Sequence, residues 1–175
     1  MSKGLFFASA DRHFIVAGDV IISHIPCKIS TVLGSCVSVT MLHRGKGLAA
    51  MCHGMLPAPT VWMEERDQER WRYLSHALSD MRAYFAGQGA EPACVEVKIF
   101  GGGWIINTGS VLGNVGEKNL RLARDFLDAN GFRVEAEHVA GQGGRMITFD
   151  TSTGAVSVKA VSQLFQLRQN TSYKQ

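Results

Sequence analysis

Cys36 and His53 are the residues of this chain whose types and spacing best suit covalent chemistry. Cys36 lies in the run LGSCVSV and His53 in MCHGMLP, seventeen positions later. A free thiol, with a pKa of about 8.5, is mostly protonated at neutral pH. An imidazole beside it can take the proton, hold the thiolate and later return a proton to a leaving group. Gly34 and Ser35 fit the same chemistry, because a bend just before a nucleophile exposes backbone N–H groups able to hold an oxyanion. A third group normally orients such a histidine, and the hydroxyls or carbonyls of Ser30 and Thr31 are the nearest candidates. The bland alternative is that Cys36 is a small buried hydrophobe. Residue types alone leave both readings open.

Two strands must bring the pair together. KISTVL has strand character, Gly34-Ser35 interrupts it, CVSVTML resumes it with alternation, HRGK is a turn and GLAAMCHGML is the return strand. With a four-residue loop from His43 to Lys46, paired residue numbers sum to 89 and Cys36 stands directly opposite His53. Directly opposed Cβ atoms lie roughly 4.5–5.5 Å apart. Any even loop keeps the two on one face, and an odd loop or a bulge separates them. Cys52 then faces the other way, into core.

The remaining elements form a frame for this hairpin. HFIVAGDVIIS is strand-like with a turn at Gly18-Asp19, and LPAPT breaks regular structure. From Glu64 onward, Trp71, Leu74, Leu78, Met81 and Phe85 recur at helical spacing, with Gly87 near the end. CVEVKIF, Cys94 to Phe100, alternates as a strand and runs into Gly101-Gly102-Gly103. A glycine-rich loop continues to Gly116, and a helix from Glu117 to Asn130 stops at Asn130-Gly131. FRVEAEHV is a strand, AGQGGR a loop, and MITFDTSTGAVSVKAV a hairpin turning near Thr153-Gly154. Strands alternating with two helices predict an α/β or α+β class with a mixed sheet. Residues 1–161 are expected to form the single domain, and 162–175 a C-terminal tail.

Composition bounds the function. The chain has 175 residues, 46% apolar and 19% charged, which is globular and argues against disorder. A net charge of +3 is too small to imply nucleic acid, though it suits an acidic partner. No secretory h-region and no apolar run of membrane-spanning length is visible, so a cytoplasmic address with reduced thiols is expected. The four cysteines show no CxxC and the histidines no HxxxH, so no metal is expected. Cys27 and Cys94 have no partner pattern, His43 is read as a solvated turn residue, and His76 and His138 have no local support. Gly109, Gly113 and Gly116 are spaced as neither a dinucleotide nor a P-loop fingerprint. They read as turns shaping a groove, with Asn114 and Asn119 as hydrogen-bonding residues.

Several runs together carry a resemblance. LGSCVSV followed by MCHGMLP, then VKIFGGG, VGEKN and GGRMITFDTSTGAV, resemble in order the segments of the chemoreceptor glutamine deamidase CheD family of bacterial chemotaxis, over roughly residues 14–160. The resemblance implies a single-domain mixed β-sheet sandwich flanked by helices, similar to the deamidating domain of cytotoxic necrotizing toxins. It implies hydrolysis of glutamine side-chain amides on methyl-accepting chemotaxis receptors through a thioester, with no cofactor. Cys36 becomes the catalytic cysteine and His53 the histidine. The family's third residue is a threonine six positions before the cysteine, where this chain has Ser30, with Thr31 beside it. Gly34 and Ser35 shape the oxyanion site, and Gly101, Gly102 and Asn119 the substrate groove. Lys118 replaces the usual arginine, and Gly103 and Trp104 are further departures. The implied partners are the receptors, reached peripherally at the membrane, and a CheC-type phosphatase, with no nucleic acid. A non-catalytic adaptor and a different thiol amidase or protease remain the other classes.

Overall fold

The computed structural model describes residues 4–59, 70–103 and 115–161. Among them are ten strands and two α-helices arranged in three layers. The strands are β1 (Leu5–Phe7), β2 (Arg12–Phe14), β3 (Val20–Ser23), β4 (Lys28–Leu33), β5 (Val37–His43), β6 (Leu48–Cys52), β7 (Glu96–Gly101), β8 (Val134–Val139), β9 (Arg145–Asp150) and β10 (Val156–Ala160). The helices are α1 (Leu74–Gly87) and α2 (Val115–Ala129). One sheet has the order β1-β3-β6-β5-β7-β8, the other β10-β9-β4-β2, and each mixes parallel with antiparallel pairs. The mixed α/β class with a sandwich of sheets is the one expected from sequence.

The middle layer explains its own sequence. β5 and β6 are buried almost throughout because both faces are covered; β6 reads as a continuous apolar run, whereas β5 carries the buried polar residues Ser38 and Thr40. Val37, Val39, Met41, Ala50 and Cys52 meet the helices, together with Leu74, Leu78, Met81, Leu120 and Leu127. Leu42, Ala49, Met51 and Phe100 meet Ile29, Leu33, Ile147 and Phe149 of the second sheet. Cys36 packs against that second cluster, between the sheets.

Several boundaries differ from the sequence expectation. KISTVL and CVSVTML are not one interrupted strand: β4 belongs to the second sheet and β5 to the first, and Gly34-Ser35-Cys36 crosses between them. The β5–β6 turn is Arg44–Gly47 rather than His43–Lys46. Arg44–Lys46 form a single 3-10 turn closed by Gly47 at φ 58°, a left-handed position that glycine adopts without strain. His43 is therefore the half-buried end of β5 and not a solvated turn residue. The described part of the first helical stripe begins with a 3-10 turn at Arg70–Arg72, so Trp71 precedes α1, and residues 64–69 lie outside the described residues. The second helix starts two residues earlier than expected, at Val115. Asn114, Trp104, the glycines at 109 and 113 and the tail at 162–175 also lie outside the described residues. The closing hairpin turns at Thr151–Ala155, with Gly154 N–H donating to Asp150 O at 2.8 Å. No helix of the described residues is long and apolar enough to cross a membrane.

Candidate active site

The β5–β6 ladder sets the geometry of the pair. Thr40 pairs with Met51 and Val37 with Gly54, so paired numbers sum to 91, not 89. Cys36 therefore stands across from Met55, and His53 is its diagonal neighbour instead of its direct opposite. The four-residue turn is still even, so both side chains keep the same face, the one toward the second sheet. Diagonal neighbours are separated by roughly 7 Å at Cβ, within reach of a cysteine and an imidazole that lean together. No hydrogen bond joins the thiol to the ring among the described residues. Such bonds commonly tighten only when substrate is bound.

Backbone contacts fix both segments. His53 N–H donates to Asp19 O at 2.9 Å, and its carbonyl accepts from Gly18 N–H at 2.9 Å. Asp19 closes its own turn by accepting from Val16 N–H at 2.8 Å. Gly54 lets α1 approach: a Cβ there would come within 2.7 Å of Leu74. The crossing loop is gripped from the other side by the glycine run. Gly103 N–H donates to Gly34 O at 2.8 Å and Gly102 N–H to Cys36 O at 2.8 Å. Gly101, at φ 100°, has its Cα so close to Cys36 O that a Cβ would overlap the oxygen.

The side-chain chemistry turns on Thr31. His53 is only 5% exposed, and its Nδ1 lies 2.7 Å from Thr31 Oγ1. Thr31 Oγ1 is also 2.7 Å from Ile15 O. A carbonyl can only accept, so the single hydroxyl proton goes to Ile15 and the hydroxyl must accept from Nδ1–H. The proton of neutral His53 is thus on Nδ1, and Nε2 carries a lone pair. Burial holds the His53 pKa down at about 4, so the ring is neutral at pH 7. Burial pushes the Cys36 thiol above its ordinary value, partly offset by its own backbone N–H beside the sulfur. The resting pair is thiol and imidazole, not an ion pair. Such a pair can deliver a thiolate to an electrophilic carbonyl as the proton moves to Nε2.

Ser30 does not reach the histidine. Its hydroxyl points out of the opposite face of β4 and meets Thr148 Oγ1 at 2.8 Å. Gly34 and Ser35 are half-buried beside Cys36. Gly101, Gly102 and Asn119 are buried beneath the loop, where they support its backbone. Gly102 also borders a cavity of about 500 Å³ between α2 and the end of β8, which includes neither Cys36 nor His53. Cys52 is fully buried in the helix-side core, Cys27 is buried and Cys94 exposed. Among the described residues, no three His, Cys, Asp or Glu side chains gather in a way that could hold a metal.

Sequence reasoning left Arg145 without a role of its own. Its guanidinium, on a residue 6% exposed, donates to His138 O at 2.8 Å, to His138 Nδ1 at 2.9 Å and to Ala140 O. Ala140 N–H in turn donates to Gly101 O at 2.9 Å, so the arginine braces the glycine run that grips the loop.

The family model described as CheD chemotactic sensory transduction matches residues 55–160. A probable chemoreceptor glutamine deamidase CheD 2 of Geobacter sulfurreducens is 36% identical over 138 residues, 79% of this chain and 82% of that protein. A probable chemoreceptor glutamine deamidase CheD of Oleidesulfovibrio alaskensis is 37% identical, over 83% of this chain and 70% of that protein. A third of that description, from Rhodospirillum rubrum, is 33% identical over 87% of this chain and 84% of its own length.

Proposed function

Since the chain belongs to the CheD family, we propose that it hydrolyses glutamine side-chain amides on chemotaxis receptors to glutamate and ammonia, with Cys36 as nucleophile and His53 as base. The observation that carries the assignment of roles is the hydrogen-bonded run His53–Thr31–Ile15, which leaves the Nε2 lone pair as the only basic site on the ring.

The reaction is written with these groups. Nε2 of His53 takes the Cys36 proton as the sulfur adds to the glutamine Cδ. The carbonyl oxygen becomes an oxyanion facing the backbone N–H groups at Ser35-Cys36. The C–N bond breaks, and the nitrogen leaves as ammonia with the proton from Nε2. Water then attacks the thioester, giving its proton to Nε2. The C–S bond breaks to release glutamate, and the proton returns to the sulfur. Thr31 is the third group, keeping the ring in one tautomer throughout. No cofactor enters.

A neutral resting pair suits this order. The thiol stays protonated until an amide carbonyl is in place, so it is guarded against adventitious oxidation. On this reading the protein works in the cytoplasm, on the cytoplasmic helices of membrane-bound receptors, and a CheC-type phosphatase is a second partner.

The test is mass spectrometry of a receptor cytoplasmic fragment from the same organism, incubated with the protein and with Cys36→Ala. Amide-to-acid conversion at defined glutamines, lost in the variant, is the expected result. Conversion that survives in the variant would remove Cys36 from the chemistry. No conversion on any receptor would leave a binding protein or an enzyme for another amide.

A further inference from the structure

We propose that Asn119 is the positioning residue that aims the Cys36 backbone N–H as the oxyanion donor, an inference that rests on the thiol-hydrolase reading above. Asn119 sits in the first turns of α2 and is fully buried. Its Nδ2 donates to Ser35 O at 3.3 Å and to Met55 O at 3.1 Å. Those two carbonyls belong to the segment that leads into β5 and the segment that leaves β6. Ser35 precedes Cys36, and Met55 faces Cys36 in the ladder register, two residues after His53. The carboxamide thus closes the end of the β5–β6 hairpin where its backbone ladder stops.

A trans peptide unit is planar, and its C=O and N–H point in opposite directions. Holding Ser35 C=O toward Asn119 therefore turns the Cys36 N–H away from it. That N–H lies beside the Cys36 sulfur. No carbonyl of the described residues accepts from it. All three carbonyls of the loop are held: Gly34 O by Gly103, Ser35 O by Asn119 and Cys36 O by Gly102. The loop is fixed through its acceptors, and the donor at the sulfur is left to meet developing negative charge.

Stability is a poor explanation for this residue. Asn119 Oδ1 is buried with no partner among the described residues. An orphaned buried carbonyl is costly, and a leucine or methionine on the same helix stripe would avoid it. The two donated hydrogen bonds are what the side chain supplies. α2 is brought close enough to supply them by Gly116, whose added Cβ would lie 2.8 Å from Gly102 O.

The experiment compares two reactions of one sulfur. In a Cys94→Ser background, Cys27 and Cys52 are buried and Cys36 is the accessible thiol of the described residues. p-Nitrophenyl acetate acylates it through a tetrahedral oxyanion: the thiolate adds to the ester carbonyl and p-nitrophenolate leaves. Iodoacetamide alkylates it by displacement of iodide, with no oxyanion. Asn119→Ala and the near-isosteric Asn119→Asp are measured beside the parent, with Cys36→Ala as the blank. The expected result is acylation slowed at least about tenfold with alkylation changed less than about threefold, and a fall in receptor kcat at unchanged KM. Parallel slowing of both reactions, or no change in their ratio, would overturn the proposal and leave Asn119 a structural residue. Asn119→Ser, which keeps a shorter donor, should recover part of the acylation rate and serves if the other variants do not fold. The ratio needs no receptor, so a parent protein inactive on receptors would sink the deamidase reading without touching this one.

Discussion

Thr31 Oγ1 lies 2.7 Å from His53 Nδ1 while giving its own proton to Ile15 O, so one hydroxyl dictates the tautomer of the ring. Thr31→Val removes the acceptor and leaves a buried N–H unpaired. Misassigning a catalytic tautomer costs up to about 10⁴-fold where an aspartate does this work. A hydroxyl should matter less, and Thr31→Val is expected to lower kcat by roughly 10²-fold while Thr31→Ser keeps most of it. Ser30→Ala, which breaks only the contact with Thr148, should stay within about threefold of wild type. Nitrogen NMR of the labelled histidine checks the cause: Nδ1 should carry the proton in wild type. A Thr31→Val enzyme of normal kcat would remove Thr31 from the mechanism.

The choice between Ser30 and Thr31 could have been made from the strand pattern. In KISTVL, Lys28 is charged and must face solvent, which sends Ser30 and Val32 outward and Ile29, Thr31 and Leu33 inward. Asn119 was legible in the same way, since it falls on the buried stripe with Gly116, Leu120, Ala123 and Leu127. The shared face of Cys36 and His53 followed from the even turn. Their diagonal offset did not, because HRGKG offers glycines at 45 and 47 and only tertiary structure selects Gly47 for the left-handed position. Nor could local pattern show that Gly34-Ser35 marks a passage between two sheets. Both halves read as strand, and the partners that separate them, β9 at one side and β7 at the other, are more than fifty residues away.

Acid should weaken the fold through His53. Its native pKa is about 4, below the roughly 6.5 of an unfolded chain. Between those values the unfolded state binds a proton that the native state refuses, so stability falls as pH drops from about 6.5 to 4. The contribution is complete above pH 6.5, is lost by pH 4, and amounts to at most roughly 3 kcal/mol. Urea unfolding of wild type and His53→Gln across this range should show a steeper loss for wild type. Parallel curves would mean that His53 titrates normally in the native protein.

The neutral resting pair makes a separate claim about the thiol. With burial raising the Cys36 pKa and His53 uncharged, alkylation of Cys36 in the free protein should climb with pH beyond 8 and show no plateau near neutrality. A preformed thiolate–imidazolium pair would instead give a plateau across the neutral range. Stopped-time alkylation followed by peptide mass spectrometry distinguishes the two.

Two glycines at positive φ should respond differently to alanine. At Gly101, φ 100°, the new methyl would overlap Cys36 O and press on Leu33. Gly101→Ala combines backbone strain with that overlap and should cost at least about 3 kcal/mol, with activity lost. At Gly143, φ 83°, none of the described residues lies within 4 Å of an added methyl, so the backbone term of about 1–2 kcal/mol is the cost expected and activity should persist. Thermal melts and turnover of the two variants decide it. Equal behaviour would show that the contact between the glycine run and the Cys36 loop is not close.

Arg145 acts on the site at one remove. Its fork reaches His138 O and Ala140 O, and Ala140, at φ 56°, is a left-handed residue other than glycine. The hydrogen bonds of a buried cation hold that conformation against its strain. Ala140 then ties down Gly101 O, and Gly101 abuts Cys36. Lysine cannot reproduce a planar fork, so Arg145→Lys should lose about 2 kcal/mol of stability and loosen this run. Hydrogen exchange should quicken at the amides of Ala140, Gly102 and Gly103 before it does in α1. Ala140→Gly in the same background relieves the backbone strain and should restore part of the lost stability. If Arg145→Lys leaves exchange at Gly102 and Gly103 unchanged, the arginine braces only its own loop, and the link from Ala140 to the Cys36 segment is broken.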